Sequence, residues 1–339
     1  MNKMKIEVPY IYNLEHTFRC GQAFRWKFEN GFWNGITRGE IILIRTVSIS
    51  KCSSDEPCNE LSNASSHETS NEPLNQKTKF EFFTYPKKDN ISLIRSYFRL
   101  EDNMPEILKS IEKDQIMIDA IKKYAGLHLL RQEPFETLIT YLLSIQSSIP
   151  IISKNVERLS QEYGKRIECK DYNGLVRYSF PNAEDLKGAS ENELRSLGLG
   201  FRAKWIKNAI DVVNSGKLDF EDLREMNYHE ARARLMELKG VGPKIADCVL
   251  LFSLDKLEAF PIDRWVKRIM EEEYFERLNL SDKNLGMKNI RLKELGDFAR
   301  DYFGKYAGYA QEYLFYYRRT TKSKCKNSKE VIKNKSKKE

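Results

Sequence analysis

The chain has little of what would mark a metal protein, a membrane protein or a secreted one. Its six cysteines, at 20, 52, 58, 169, 248 and 325, form no Cys-x2-Cys pair, and its four histidines offer no zinc-like spacing, so no metal framework is expected. No run approaches the roughly eighteen consecutive apolar residues of a membrane helix. The start, Met1-Asn2-Lys3-Met4-Lys5-Ile6-Glu7, lacks the apolar stretch of a secretory signal, so a cytoplasmic protein without membrane contact is expected. A Gly-x4-Gly-Lys-Ser/Thr loop, which would cradle a nucleoside triphosphate, is missing too. Most of the chain also lacks a charge excess. The formal charge is +8, but residues 318–339 hold ten Lys or Arg against two Glu, leaving 47 basic and 47 acidic groups in the preceding 317. That tail reads as a disordered basic arm, either raising nonspecific affinity for nucleic acid in a salt-dependent way or simply solubilising the chain.

What is present is enough for two or three packed units: 339 residues, 41% of them apolar. Residues 5–50 and 80–86 hold short apolar runs such as Phe32-Trp33-Asn34-Gly35-Ile36 and Ile41-Ile42-Leu43-Ile44, the pattern of an antiparallel sheet. Between them, about 51–79, Ser, Asn, Glu and Pro predominate, which predicts a disordered insertion or long exposed loop. From residue 104 the period becomes helical, with segments near 105–124, 134–147, 150–163, 202–215, 228–239, 243–254, 263–275, 291–303 and 305–317. Ser190 and Glu193 make a capping box before Leu194. The fold class is therefore α+β, with an N-terminal sheet domain over 1–103, a helical domain over 104–317 and the tail from 318.

The most informative stretch is Leu235-Met236-Glu237-Leu238-Lys239-Gly240-Val241-Gly242-Pro243-Lys244-Ile245-Ala246-Asp247-Cys248. It reads as helix, glycine hairpin and second helix, because Gly240 and Gly242 permit positive φ and Pro243 suits the first helical position. Such a hairpin aims backbone N–H groups at an anion, and a nucleic-acid phosphate is the natural one here. Lys244 falls in the first turn of the second helix, where the positive end of the macrodipole disfavours added positive charge. An unprotonated amine there would be a nucleophile, and Asp263, in Phe260-Pro261-Ile262-Asp263-Arg264-Trp265, could orient it or stabilise developing positive charge. Plainer readings stand beside these: a phosphate-binding lysine and an N-cap aspartate.

With this hairpin the chain resembles the helix-hairpin-helix DNA glycosylases, and among them the 8-oxoguanine DNA glycosylase/AP lyase family. Five blocks carry the resemblance in order: Cys20-Gly21-Gln22-Ala23-Phe24-Arg25-Trp26, Leu130-Arg131-Gln132-Glu133-Pro134-Phe135-Glu136, Leu197-Gly198-Leu199-Gly200-Phe201-Arg202-Ala203, the hairpin through Ala246-Asp247-Cys248, and Tyr306-Ala307-Gly308-Tyr309-Ala310-Gln311. It implies an N-terminal sheet domain of TATA-binding-protein-like form followed by two helical lobes bordering a cleft. The implied partner is double-stranded DNA containing 8-oxoguanine, bound by a monomer that needs no metal or organic cofactor. The four-cysteine iron-sulfur loop of the endonuclease III relatives is excluded, because Cys325 alone lies beyond Asp263.

Base chemistry inside a duplex requires extrusion of the nucleotide, and the resemblance assigns the parts. Lys244 and Asp263 match the catalytic pair. Phe201 matches an intercalating aromatic, and Arg202 an arginine that reads the base left behind. Phe315 matches an aromatic that stacks on the flipped base, Gln311 offers an amide to its Watson-Crick edge, and Cys248, at i+4 from Lys244, supplies the opposite wall. The Gly21 carbonyl is implied to accept from N7–H of 8-oxoguanine, where guanine has only a lone pair. Further DNA contacts fall to Gln146, Gly240, Gly242 and Trp265, the last where family members often carry histidine. Where the eukaryotic members have an Asn-Asn-Asn run and then an arginine for the orphaned cytosine, this chain has Gln146-Ser147-Ser148 and then Ile151; a weaker preference for cytosine opposite the lesion is expected. The alternatives are a glycosylase for another oxidised or alkylated base, and a noncatalytic hairpin protein that tethers a complex to DNA.

Overall fold

The computed structural model describes residues 3–51, 76–277 and 291–335. The chain opens with β1 (Met4–Val8), α1 (Leu14–Arg19), β2 (Lys27–Glu29), β3 (Phe32–Thr37), β4 (Glu40–Lys51) and β5 (Gln76–Tyr85). These strands make one antiparallel sheet in the order β1-β5-β4-β3-β2. Ile41, Ile42, Leu43 and Ile44 are all fully buried, because successive side chains enter opposite faces and both faces are covered. Ile42 and Ile44 join Phe80 and Phe82 in the main core, while Ile41 and Leu43 join Phe32, Ile36 and Phe83 in a smaller cluster.

The second face is closed by a hairpin that the sequence reading missed, β6 (Arg166–Cys169) with β7 (Leu175–Tyr178). It lies far along the chain, amid helices, and folds back so that Ile167, Cys169 and Leu175 cap the small cluster. Strands this short carry too few residues to show a period.

The helices are α2 (Ile91–Tyr97), α3 (Met104–Ile111), α4 (Gln115–Lys123), α5 (Pro134–Leu143), α6 (Ile149–Tyr163), α7 (Glu191–Leu194), α8 (Ala203–Asn214), α9 (Phe220–Glu225), α10 (Tyr228–Met236), α11 (Pro243–Ser253), α12 (Arg264–Glu273), α13 (Leu292–Phe303) and α14 (Ala307–Lys335). The expected capping box at Ser190 is present, each partner bonding the other's backbone. Four expectations change. The segment 105–124 is two helices, since Asp114 accepts from Met117 N and caps a new start. Short helices α2 and α9 appear behind the caps Asn90 and Asp219, so helical structure begins well before residue 104. The insertion is narrower than 51–79, because the β4–β5 ladder continues through Ile49↔Thr78 to Lys51↔Gln76; residues 52–75 lie outside those described. Residues 318–335, expected as a disordered tail, continue α14. No glycine or proline occurs between Tyr309 and Lys335 to stop it, and lysine and arginine are good helix formers. Arg318 pairs with Glu272 and Arg319 donates to the Arg19 carbonyl, fastening the first part of that extension. Residues 336–339 are not among those described. Among the described residues no helix is long and apolar enough to cross a membrane.

One hydrophobic core runs from the sheet into the helices. Its polar seam is Gln22, fully buried, whose Nε2 donates to the Thr17 and His128 carbonyls while Oε1 accepts from Leu130 N at 2.8 Å. Its own carbonyl accepts from Gln132 Nε2 at 2.9 Å. Arg25 donates to Glu157 at 2.9 Å and to the Tyr178 carbonyl, and Trp26 Nε1 donates to the Tyr97 hydroxyl. The block 20–26 is thus a brace between sheet and helices, with Gly21 set against the Phe315 ring.

Candidate active site

Helix α10, the turn 237–242 and α11 form the expected helix-hairpin-helix. Gly240 has φ +87, and a Cβ there would meet the Trp205 ring at 2.6 Å, so glycine is required twice over. Gly242 differs from expectation: it is the extended N-cap of α11, with φ −97, and needs no left-handed conformation. Pro243 occupies the first turn as expected. Buried Asp247 ties the two helices together, accepting from Tyr228 Oη and Arg232 Nε, each at 2.8 Å.

Lys244, half-buried in the first turn of α11, lays its ammonium 4.8 Å from the centre of the Tyr141 ring and donates to Ser144 Oγ at 3.2 Å. The floor beneath the lysine is therefore the C-terminal end of α5, which sequence reasoning did not pick out. Asp263 is the N-cap of α12, its Oδ1 accepting from Trp265 N and Val266 N, each at 2.8 Å. The N-cap reading holds, and the cap fixes the carboxylate through one oxygen, Oδ1. Both Lys244 and Asp263 act electrostatically on Cys248 and on Glu312. Burial pushes the Cys248 thiol up to about 12, against the pull of Lys244; it is an apolar wall and not a thiolate.

The last block supplies the far side. Helix α14 approaches closely because Gly308 has no side chain: a Cβ there would come 2.1 Å from Leu251. Gln311 is 4% exposed, and its Oε1 is a buried acceptor with no partner among the described residues. Phe315 lies against Gly21, its ring 3.1 Å from the place of a Gly21 Cβ. Arg319, unforeseen, rests over Phe315, with the guanidinium 5.1 Å from the ring centre. Tyr313 and Tyr316 are core: Tyr313 donates to the Leu127 carbonyl and Tyr316 packs on Tyr124.

The remaining candidates form a separate rim. Phe201 is 39% exposed. Arg202, expected to face DNA, is instead largely buried, donating through Nε to the Ile145 carbonyl at 2.7 Å and through Nη2 to that of Gln146 at 3.0 Å. It thereby clips the Phe201 turn to the α5–α6 turn, where Gln146 is exposed with φ +48 and Ile149 and Ile151 are exposed too. Trp205 joins this rim to the hairpin, being both the wall under Gly240 and the edge-on neighbour of Phe201 at 5.4 Å. Trp265 sits half-buried in the first turn of α12. The sequence signal for Ser144, Tyr141 and Trp205 is absent, because each acts through a neighbour distant in the chain. Among the described residues no cluster of His, Cys, Asp and Glu could hold a metal ion.

A sheet braced to helical lobes, a glycine hairpin, and an amine and a carboxylate at the heads of successive helices define a helix-hairpin-helix protein built like a DNA glycosylase. The comparisons narrow this. A family model described as the 8-oxoguanine DNA glycosylase N-terminal domain matches residues 5–138. A probable N-glycosylase/DNA lyase of Methanothermobacter thermautotrophicus is 30% identical over 250 residues, covering 68% of this chain and 75% of the relative. The Arabidopsis thaliana N-glycosylase/DNA lyase OGG1 is 29% identical over 307 residues, 88% of this chain and 75% of the relative. The solved Clostridium acetobutylicum 8-oxoguanine glycosylase/lyase, in complex with double-stranded DNA containing cytosine opposite 8-oxoguanine, is similar over 94% of this chain and 98% of that one, with 29% identity and a TM-score of 0.74. The chain belongs to the 8-oxoguanine DNA glycosylase/lyase family.

Proposed function

We propose that this protein removes 8-oxoguanine from duplex DNA through a covalent lysine intermediate and then cleaves the strand at the resulting site. Phe201, exposed on the rim, wedges into the duplex, and the damaged nucleotide swings into the pocket. The base stacks on Phe315 with Cys248 opposite. The unpartnered Oε1 of Gln311 accepts from the N–H donors of its Watson-Crick edge, and the Gly21 carbonyl accepts N7–H, which guanine lacks. A buried acceptor facing an acceptor costs about 1–3 kcal/mol, which is the basis for rejecting the undamaged base. Lys244 Nζ attacks C1′ as the bond to the base breaks, Asp263 stabilises the cationic sugar, and the imine that follows allows β-elimination of the 3′ phosphate. The observation that carries this reading is the pair Lys244 and Asp263 at the heads of the successive helices α11 and α12, with the buried Gln311 Oε1 left without a partner among the described residues. Exposed Ile151 has no donor for an orphaned cytosine, so little preference for that base is expected.

Borohydride trapping on a duplex with a single 8-oxoguanine tests this, with undamaged duplex and Lys244→Gln as controls and C, A, G or T opposite the lesion. Lesion-dependent crosslinking that is lost in Lys244→Gln, with duplex binding kept, is the expected result. Normal turnover by that variant overturns the nucleophile. A cytosine preference of about three orders of magnitude, near 4 kcal/mol, overturns the relaxed-partner reading.

A further inference from the structure

Arg319 lies one helical turn beyond Phe315 on α14 and is held from two sides. Its guanidinium carbon stands 5.1 Å from the centre of the Phe315 ring and 5.3 Å from that of Tyr316, and Nη2 donates to the Arg19 carbonyl at the end of α1. The other terminal nitrogen, Nη1, is closed off from solvent and has no hydrogen-bond partner among the described residues. The preceding residue, Arg318, has Glu272 as its ion-pair partner, whereas Arg319 pairs with no carboxylate among the described residues. Stacking on a ring engages the face of a guanidinium and leaves the Nη1 hydrogens, which lie in its plane, unused. A buried charged donor without an acceptor is costly.

The surroundings of Nη1 are set by Gly21. A Cβ on Gly21 would stand 2.8 Å from Nη1 and 3.1 Å from the edge of the Phe315 ring. The missing side chain is therefore what lets the guanidinium and the ring come up to that stretch of backbone together. An unclaimed N–H donor thus lies beside the two residues read above as contacts of the flipped base.

Oxidation changes two neighbouring atoms of guanine. N7 gains a hydrogen, and C8–H becomes C8=O8, so an edge that offered an acceptor next to a C–H now offers a donor next to an acceptor. A backbone carbonyl at N7 reads the first half of that change. Reading the second half takes an N–H donor beside that carbonyl.

We propose that Arg319 is a specificity-determining residue whose Nη1 donates to O8 of the flipped base; the proposal rests on the reading of Gly21 and Phe315 as contacts of that base. Gly21 and Arg319 then present an acceptor and a donor side by side, matched to the N7–H and C8=O8 of the lesion. Guanine offers a lone pair to the Gly21 carbonyl and a C–H to Nη1, so both protein groups stay unsatisfied, and a site built around such bonds rejects the analogue that lacks them. The Arg19 carbonyl and the Phe315 ring hold the guanidinium before the base arrives, so little side-chain freedom is lost on binding.

The test compares single-turnover release of 8-oxoguanine with that of 8-thioguanine, which keeps N7–H but carries sulfur, a weak acceptor, in place of O8. Both are placed opposite cytosine, for the unmodified protein, Arg319→Met and Arg319→Lys. Strand cleavage at a preformed abasic site, which holds no base, is followed in parallel. Arg319→Met fills similar space without a donor and should slow release of 8-oxoguanine about thirtyfold. Release of 8-thioguanine should change by less than about threefold, and abasic-site cleavage should be kept. The preference for oxygen over sulfur therefore collapses in that variant. Arg319→Lys keeps the charge but not the planar fork and should fall between the two. An unaltered preference in Arg319→Met overturns the proposal, as does equal slowing of both bases, which would assign Arg319 to stacking or to O6, an atom guanine shares. If Arg319→Met also loses abasic-site cleavage, Arg319→Lys decides: a reduced oxygen preference with cleavage kept supports the proposal and an unaltered one overturns it. Failure of the unmodified protein to release 8-oxoguanine overturns the reading of the site itself, whereas normal release with an unaltered preference in the variants removes only Arg319.

Discussion

Gly240 in the hairpin and Gly198 in the second glycine turn share a φ of +87, and both follow a Leu-x-x-Leu run, yet the chain leaves them differently. After Gly240 come Val241 and the extended Gly242, and then Pro243, whose fixed φ starts α11 at once. After Gly198 a second left-handed glycine, Gly200 at φ +61, interrupts an irregular helical turn and a short 3-10 turn before α8 begins. The first exit delivers Lys244 into a half-buried pocket; the second leaves Phe201 on the surface. A side chain meant for chemistry is set at the head of a regular helix, and one meant to enter the duplex is held out on a turn. Trp205 touches both, under Gly240 and edge-on to Phe201, so the two turns stand on one shared wall.

The largest effect expected on this contrast comes from the glycines themselves. Gly240→Ala strains the backbone and drives a methyl into a ring, and should cost about 3 kcal/mol in denaturant unfolding and lower excision with it. Gly198→Ala meets the guanidinium end of Arg158, which can swing aside, so only the backbone strain of about 1–2 kcal/mol remains. Equal losses would mean that Trp205 is no firmer a wall than a flexible arginine. Next in size, Phe201→Ala should leave stability within about 0.5 kcal/mol but slow single-turnover excision about tenfold. A stability loss matching the rate loss would make Phe201 a packing residue and remove the distinction between the turns.

The smallest effect concerns the far end of α11, which Asp255 fixes by accepting from Arg99, Arg131 and Arg224. Burial would raise its carboxyl, but the Arg99 and Arg131 charges win and hold it below its usual value. A depressed folded value means that the stabilisation is present above the unfolded carboxylate range, near 3.9, and is lost as pH falls through the folded value. Hydrogen exchange on acidification should therefore loosen the C-terminal part of α11 before the Gly198 turn, and more so relative to an Asp255→Asn variant. The reverse order would separate Asp255 from the rigidity of the hairpin.

The legible parts were those that local chemistry dictates. Alternating and helical periods placed the sheet and most helices, Ser190 and Glu193 marked a cap, and Gly240, Pro243 and Lys244 marked the hairpin, because turn, cap and helix-start preferences act over a few residues. The structure redrew what depends on distant partners. Arg202 points inward because the Ile145 and Gln146 carbonyls are there to receive it. Residues 166–178 became strands because the sheet offered an uncovered apolar face. The end of α14 continued past Tyr317 because nothing in its composition stops a helix.

The sequence by itself determined the α+β class, the hairpin and the positions of the lysine and the aspartate, since each is written in contiguous residues. Only the tertiary structure decided that Lys244 rests on Tyr141 and Ser144, that Gln22 braces the strand-side loop so that Gly21 faces Phe315, and that the wedge and the hairpin share Trp205. It decided, too, that Glu312 is buried beside Gln311. One α-helical step separates Gln311 from Glu312, and the helix period alone cannot say that both will be buried. Burial there is set by the elements packed against α14, which no local pattern in its own residues specifies.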